Sequence, residues 1–280
     1  MFKEKIKKIP FLGRKVVSAW SWYLRFQESK TLRLNEKFKN AFAGRKCFII
    51  ATGPSIKRQD LKKLKGQLSI SVSNFYVHPD FAEIKPEFHL FAAMHPPITE
   101  DQYSAMLKDA EKHFPHGQKI LMSIGDKHIV EKFNALKKQN VYYYSLGLKN
   151  IKPKSTIDFS KQLPTIQTSP HIAIYLAIYL GAKEINLLGC DHDWILHFGE
   201  TRHFYDEKKS VLSQKGYDEW RGSDFGTECA AYASLWEKYR RMRAYASAHG
   251  ITVINCTDGG LLDVFPRKNL EAALETKQSP

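Results

Sequence analysis

Apolar runs recur along the chain from about residue 44 onward, and each is short. Positions 47–51, 68–73, 87–93, 119–123, 141–145, 183–189 and 252–255 each carry such a run, bounded by Gly, Pro, Ser or Asn. Runs this short, without strict alternation, suit strands covered on both faces. Between them lie segments of helical period: 59–64, 99–114, 127–137, 171–180, a long one from Asp224 or Thr227 to 249, and a closing tail at 269–274. Thr99 with Gln102 three positions later reads as a capping box. Pro170 falls in the first turn of its helix, and Gly181 stands where a C-terminal glycine ends one. Strands alternating with helices predict an α/β protein: a parallel sheet with helices on both faces. Residues 147–163 read as an irregular loop, and about 195–223 as a polar lid, a long insertion for a compact domain.

The first 43 residues differ. Lys3, Lys5, Lys7, Lys8, Arg14 and Lys15 interleave with Phe2, Ile6, Phe11, Leu12, Val16 and Val17, followed by Trp20, Trp22, Tyr23 and Phe26. A basic, aromatic, amphipathic arm of this kind suits an anionic membrane surface, or it packs on the main domain with a solvated face. Two units follow: a basic helical arm over 1–43 and a single nucleotide-binding domain over 44–280.

The chain has 280 residues, a formal net charge of +14 and a pI near 9.5. That balance points to acidic partners and to a basic pocket. Nucleic acid is not expected, because no nucleic-acid-binding motif accompanies the charge. Cys47, Cys190, Cys229 and Cys256 form no C-x-x-C pair, and three lie in or beside strand-like runs, so they read as reduced core residues. No run of 18 apolar residues is present and no signal peptide is evident, which leads to a cytoplasmic protein, peripheral at the inner face of the membrane through its arm.

Chemistry concentrates where the strand-like runs end. The first run leads into Thr52-Gly53-Pro54-Ser55. Gly53 allows close backbone approach, and Ser55 could cap a helix whose free N–H groups would face an anion. The turn lacks both the Gly-Lys-Ser/Thr ending of a phosphate-binding loop and the G-x-G-x-x-G pattern. Asn74 stands just past the second run, where open sheets place ligand groups, although asparagine also serves turns. The run at 183–189 leads into Gly189-Cys190-Asp191-His192-Asp193. Adjacent carboxylates at Asp191 and Asp193 could hold a divalent cation, or Asp191 could order the loop. His192 and His203 are candidates to deprotonate an acceptor hydroxyl. Arg202 and Tyr205 could meet a phosphate.

Three segments carry a resemblance. Ile49-Ile50-Ala51-Thr52-Gly53-Pro54-Ser55 resembles the "G-x-G-P-S" opening of bacterial family 42 sialyltransferases and of the DUF115 group, which includes Maf-like glycosyltransferases and MptE-like proteins. Thr168-Ser169, with the stretch from Ala173 to Asp191, is similar to their "T-S-G…L-x-G-x-D" segment. Asn255-Cys256-Thr257 with Gly259-Gly260 resembles "N-x-T-x-G-G". The resemblance implies a Rossmann-like glycosyltransferase that inverts without a required cofactor or metal. Its implied donor is a CMP-linked nonulosonic acid and its acceptor a glycan or lipid-linked glycan; a homo-oligomer is compatible. It assigns Gly53, Pro54, Ser55 and Asn74 to the nucleotide, Thr168 and Ser169 to the donor, and Tyr205 to the leaving phosphate. Thr52 replaces the family's asparagine and Ala51 its first glycine. The family's histidine is absent at Gly226 and Thr227, which leaves His203, His192 and Asp191 as catalytic candidates. Gly189, Asp193 and Arg202 complete the expected substrate contacts. A second reading is an MptE-like pyrophosphokinase using ATP and magnesium held by Asp191 and Asp193; a third is a non-catalytic basic binding module.

Overall fold

The computed structural model describes residues 28–200, 202–218, 220 and 222–275. Eight strands form one sheet: β1 (Lys46–Ile50), β2 (Ser69–Val72), β3 (Phe88–Leu90), β4 (Lys119–Ser123), β5 (Asn140–Leu146), β6 (Gln162–Leu163), β7 (Glu184–Leu188) and β8 (Thr252–Asn255). Their order is β6-β5-β4-β3-β2-β1-β7-β8, and every pair is parallel. The fold is α/β and Rossmann-like. β6, a two-residue edge strand, pairs Gln162 with Ser145 and Leu163 with Leu146 inside the stretch read as loop.

Side chains of β1 show why the strands are apolar without alternating. Cys47 and Ile49 enter one core with Ile185, Leu187 and the helix α4 (Ser169–Tyr179). Phe48 and Ile50 enter the opposite core with Ile120, Met122 and the helix α2 (Glu100–His113). Both faces are dry, so no position on β1 can be polar without a buried partner. Further helices include α1 (Phe81–Ile84), α3 (Lys127–Phe133), α5 (Val211–Gln214), α6 (Phe225–Ala248) and α7 (Leu270–Glu275). Thr99 and Gln102 cap α2 reciprocally, as the sequence predicts. Asp224 accepts from the Thr227 N–H to start α6. Gly181, at φ +89°, ends α4 where a Cβ would come within 2.9 Å of the Ala43 Cα.

Two local expectations change. The single helix expected at 59–64 is instead a pair of 3-10 turns, Pro54–Arg58 and Leu61–Leu64. The side chain of Gln59 reaches across to the Cys256 carbonyl at 2.8 Å, and a continuous α-helix does not form. Residues 1–27 of the predicted arm lie outside the described residues. Residues 28–43 pack on the sheet: Phe38 meets the rings of Phe88 and Tyr142 edge-on at 5.0 and 4.7 Å, and Asn35 donates to the carbonyls of Tyr143 and Phe159. The packed domain therefore takes in this segment as well.

The strand order places the chemistry. From β1 the chain steps outward through β6, then returns to lay β7 on the other side of β1. The crossovers leaving β1 and β7 run to opposite sides, which opens a crevice beyond the carboxyl ends of these two strands.

Candidate functional site

Two segments border that crevice, the turn after β1 and the strand end after β7, and Asp191 ties them. Its Oδ1 accepts from the Ser55 N–H at 3.1 Å and its Oδ2 from the Ser55 hydroxyl at 2.6 Å. The packing permits nothing larger than glycine at Gly53, where a Cβ would sit 1.9 Å from the Asp191 Oδ2. A third segment closes on the same residue. The Leu261 N–H donates to the Asp191 carbonyl at 2.8 Å, and a Cβ on Gly260 would come within 2.5 Å of that oxygen. Asn255 accepts from the Thr257 N–H, and Thr257 in turn accepts from the Cys190 N–H. The three sequence motifs are thus one physical knot around a buried carboxylate.

This geometry revises the role of Ser55. Pro54–Arg58 is a short 3-10 turn, not the start of an α-helix, and Ser55 is fully buried with its N–H and hydroxyl both committed to Asp191. Burial pushes the Asp191 carboxyl above its ordinary range, and the two bonds from Ser55 oppose that push. Asp191, His192 and Asp193 diverge. Asp191 turns to Ser55, His192 holds the Tyr239 hydroxyl at 2.7 Å through Nε2, and Asp193 accepts from Arg202 at 3.0 Å. Burial lowers His192 to about 4. His192 and Ser73 both have positive φ, 45° and 52°, a costly conformation for non-glycine residues that two strand ends sustain beside the same cavity.

That cavity has a volume of about 400 Å³. Thr52, Gly53 and Pro54 form one side, Ser73 with Thr168 and Ser169 another, and Gly189 with Asp191, His192 and Asp193 a third; Arg202 and His203 close over it. Ser73 and Ser169 bring their hydroxyls to 3.3 Å. The lid is stitched down: the Phe204 N–H donates to the Thr52 carbonyl at 3.0 Å, and Asn74 donates to the Tyr205 hydroxyl at 2.8 Å. Asn74, Ser55 and Tyr205 stand behind the lining rather than in it. His203 stacks on Tyr205 with centroids 4.9 Å apart, and its Nε2 lies 3.9 Å from a Glu207 carboxylate oxygen.

The expected basic pocket is not what the structure presents. Among the described residues its lining carries Asp191, Asp193, Glu200 and Glu228 against the single cation Arg202, although the chain is strongly basic. No group of three or more His, Cys, Asp or Glu side chains converges at metal-binding geometry among the described residues. Gln167, Glu200, Trp220 and Glu228 line the cavity without standing out in the sequence. Glu228 carries a signal: it lies three residues after Phe225 and four before Tyr232, on one helical stripe. Trp220 carries none.

Fold and site together define a doubly wound α/β protein with a crevice at its topological switch point. A family model described as 6-hydroxymethylpterin diphosphokinase MptE-like matches residues 24–195, and the chain belongs to this family. Solved structures with a similar path include the sialyltransferase CST-II carrying a tyrosine-to-phenylalanine change, in complex with CMP. That structure is 18% identical, over 78% of this chain and 84% of that one, with a TM-score of 0.40. Another is the sialyltransferase CstII from Campylobacter jejuni in complex with a substrate analogue, CMP-3FNeuAc, at 16% identity, 80% and 84% coverage and a TM-score of 0.38. Among curated proteins no relative matches.

Proposed function

We propose that the chain is an inverting glycosyltransferase that moves a sugar, a CMP-linked nonulosonic acid by its motifs, onto a cell-surface or lipid-linked glycan. The carrying observation is the charge of the cavity. A switch-point crevice suits a nucleotide, but a lining with one described cation is poorly matched to a triphosphate. A donor joined through one phosphate asks for less compensation. Thr52–Pro54 and Thr168–Ser169 offer backbone and hydroxyl groups to it.

In this reading an acceptor hydroxyl attacks the anomeric carbon, its proton passes to His203, and CMP departs with the bonding pair. His203 suits the role because it lines the cavity and its ring is stacked on Tyr205, with the Glu207 carboxylate 3.9 Å away. His192 is a weaker base at neutral pH, lowered to about 4 by burial. Asp191 acts through Ser55 as a positioning residue. Arg202 is the described cation of the lining, and it would meet an acidic sugar or the leaving phosphate by exchanging or sharing its pairing with Asp193. No helix among the described residues is long and apolar enough to cross a membrane. The basic arm within residues 1–27 would hold the enzyme at the inner face of the membrane that carries the acceptor.

The family model favours a second reading, ATP-dependent diphosphoryl transfer, in which Asp193 and neighbouring carboxylates would meet a magnesium–nucleotide complex. Thermal stabilisation of the purified chain separates the two. CMP and CDP should raise the melting temperature and a CMP-sugar panel should show transfer; stabilisation by ATP with magnesium alone overturns the glycosyltransferase reading. Replacing His203 with Ala should lower kcat by roughly 100-fold or more, with CMP stabilisation retained.

A further inference from the structure

Two aromatic groups stand on the α6 side of the cavity, with Glu228 on the same helix face between Phe225 and Tyr232. In the first, Trp194 meets Tyr232 at 5.2 Å and Tyr232 stacks on Trp236 at 4.2 Å. In the second, Phe198 meets Trp220 at 5.0 Å and Phe225 at 5.6 Å, both edge-on. The Trp194 indole N–H donates to one Glu228 oxygen at 3.1 Å, and the Ser223 hydroxyl donates to the other. Phe225, Glu228 and Tyr232 recur on one face of α6 at intervals of three and four, so helical spacing sets the separation of the two groups.

This cluster is not core. Phe198 is 42% exposed and Phe225 54%, while Trp194, Trp220 and Glu228 face the cavity. Folding gains little from leaving two phenylalanines in water beside a crevice. Rigid aromatic faces interrupted by fixed carboxylate acceptors match one chemistry closely. A pyranose presents C–H bonds on its faces, which pack on a ring, and hydroxyl donors at its rim, which a carboxylate accepts. The charge sets the class further: Glu228 and Glu200 stand in the lining while the described cation Arg202 is already paired with Asp193, which makes this end of the cavity unfavourable for an anionic sugar ring.

We propose that Phe198, Trp220 and Phe225, with Trp194 and Glu228, form the acceptor subsite and bind a neutral pyranose of a glycan. This deepens the glycosyltransferase reading and rests on it for the word acceptor. Trp194, Trp220 and Glu228 line the same cavity as the Thr52–Pro54 turn, with Phe198 packed beside Trp220 and Phe225 beside Phe198, so a sugar seated here shares one cavity with the donor position. Glu228 is part of the binding surface and does not transfer a proton.

The test reads tryptophan fluorescence of the full chain without turnover. Lactose and cellobiose, titrated into the millimolar range, should change the emission saturably, and glucuronic acid should not. Phe225→Ala, at a largely exposed position, should weaken that binding at least fivefold; Glu228→Gln should weaken it while letting glucuronic acid bind. A CMP titration followed by melting temperature reports the donor side separately, so loss of CMP binding sinks the donor reading and leaves the sugar titration to stand or fall by itself. No saturable response to either neutral sugar overturns the proposal. So does equal binding by Phe225→Ala, or a response to a pterin with none to the sugars.

Discussion

The two walls of the crevice are built on different principles. Around Asp191 three segments of the chain meet with no spare volume: Gly53 and Gly260 have no room for a Cβ, and Ser55 spends both its donors on one carboxylate. Across the cavity the lid is held through a bond from Arg202 to Asp193, one from the Phe204 N–H to the Thr52 carbonyl and one from Asn74 to Tyr205, and Phe198 and Phe225 are exposed. One wall is made by exclusion, the other by a few separable contacts. In the proposed reaction the nucleotide, the same in every cycle, suits the first, and a larger and more variable acceptor suits the second.

The comparison breaks most directly at Gly53. Gly53→Ala forces a methyl into the Asp191 oxygen and should destabilise the fold by about 3 kcal/mol, as overpacking against an immovable group does; urea unfolding measures it. A cost below that of the lid variants would show that the knot yields. Asp191→Ala comes next. It leaves the Ser55 hydroxyl and N–H buried without an acceptor, for a loss of about 2 kcal/mol, and CMP stabilisation should fall with it in the same melts.

The pH dependence is a third test. His192 is lowered to about 4 in the folded chain, against an ordinary value of 6.5. Between those values the unfolded chain binds a proton that the folded one refuses. Its contribution is therefore fully present above pH 6.5 and is lost as pH falls toward 4, with a slope of at most about 1.4 kcal/mol per pH unit. His192→Gln should flatten that limb of the stability profile. Asp191 acts in the opposite sense: its raised carboxyl favours the folded state on the acid side, so part of the stability falls as pH rises above 3.8. The smallest effect belongs to Tyr205→Phe, which removes the bond from Asn74 and should cost about 1 kcal/mol. It should alter substrate KM more than the midpoint of unfolding.

Much of the tight wall is legible in the chain. A strand that must be dry on both faces announces itself at Phe48, Ile49 and Ile50, and the glycines mark where backbones approach. The Thr99–Gln102 cap and the Asp224 start of α6 are local chemistry and equally legible. The turn after β1 is less so. A helix there is reasonable on local grounds, but the Ser55 donors find Asp191, 136 positions away, a partner no local pattern reveals. The looser wall is almost silent. Asn74 and Tyr205 meet across 131 positions, and Trp220 lies in a stretch without periodicity. Charge misleads for a related reason: net composition describes the whole surface, whereas the lining concentrates carboxylates.

The knot also says when the crevice comes into being. Residues 53–55 leave the ribosome early, 189–191 much later, and 260–261 near the end. Asp191 cannot settle until all three are in place, so the turn acquires its shape only after β7 has docked on β1 and β8 on β7. Contacts of such long sequence separation are slow to form. The crevice is therefore among the last parts of the molecule to mature, and any ligand that fits it recognises a completed sheet.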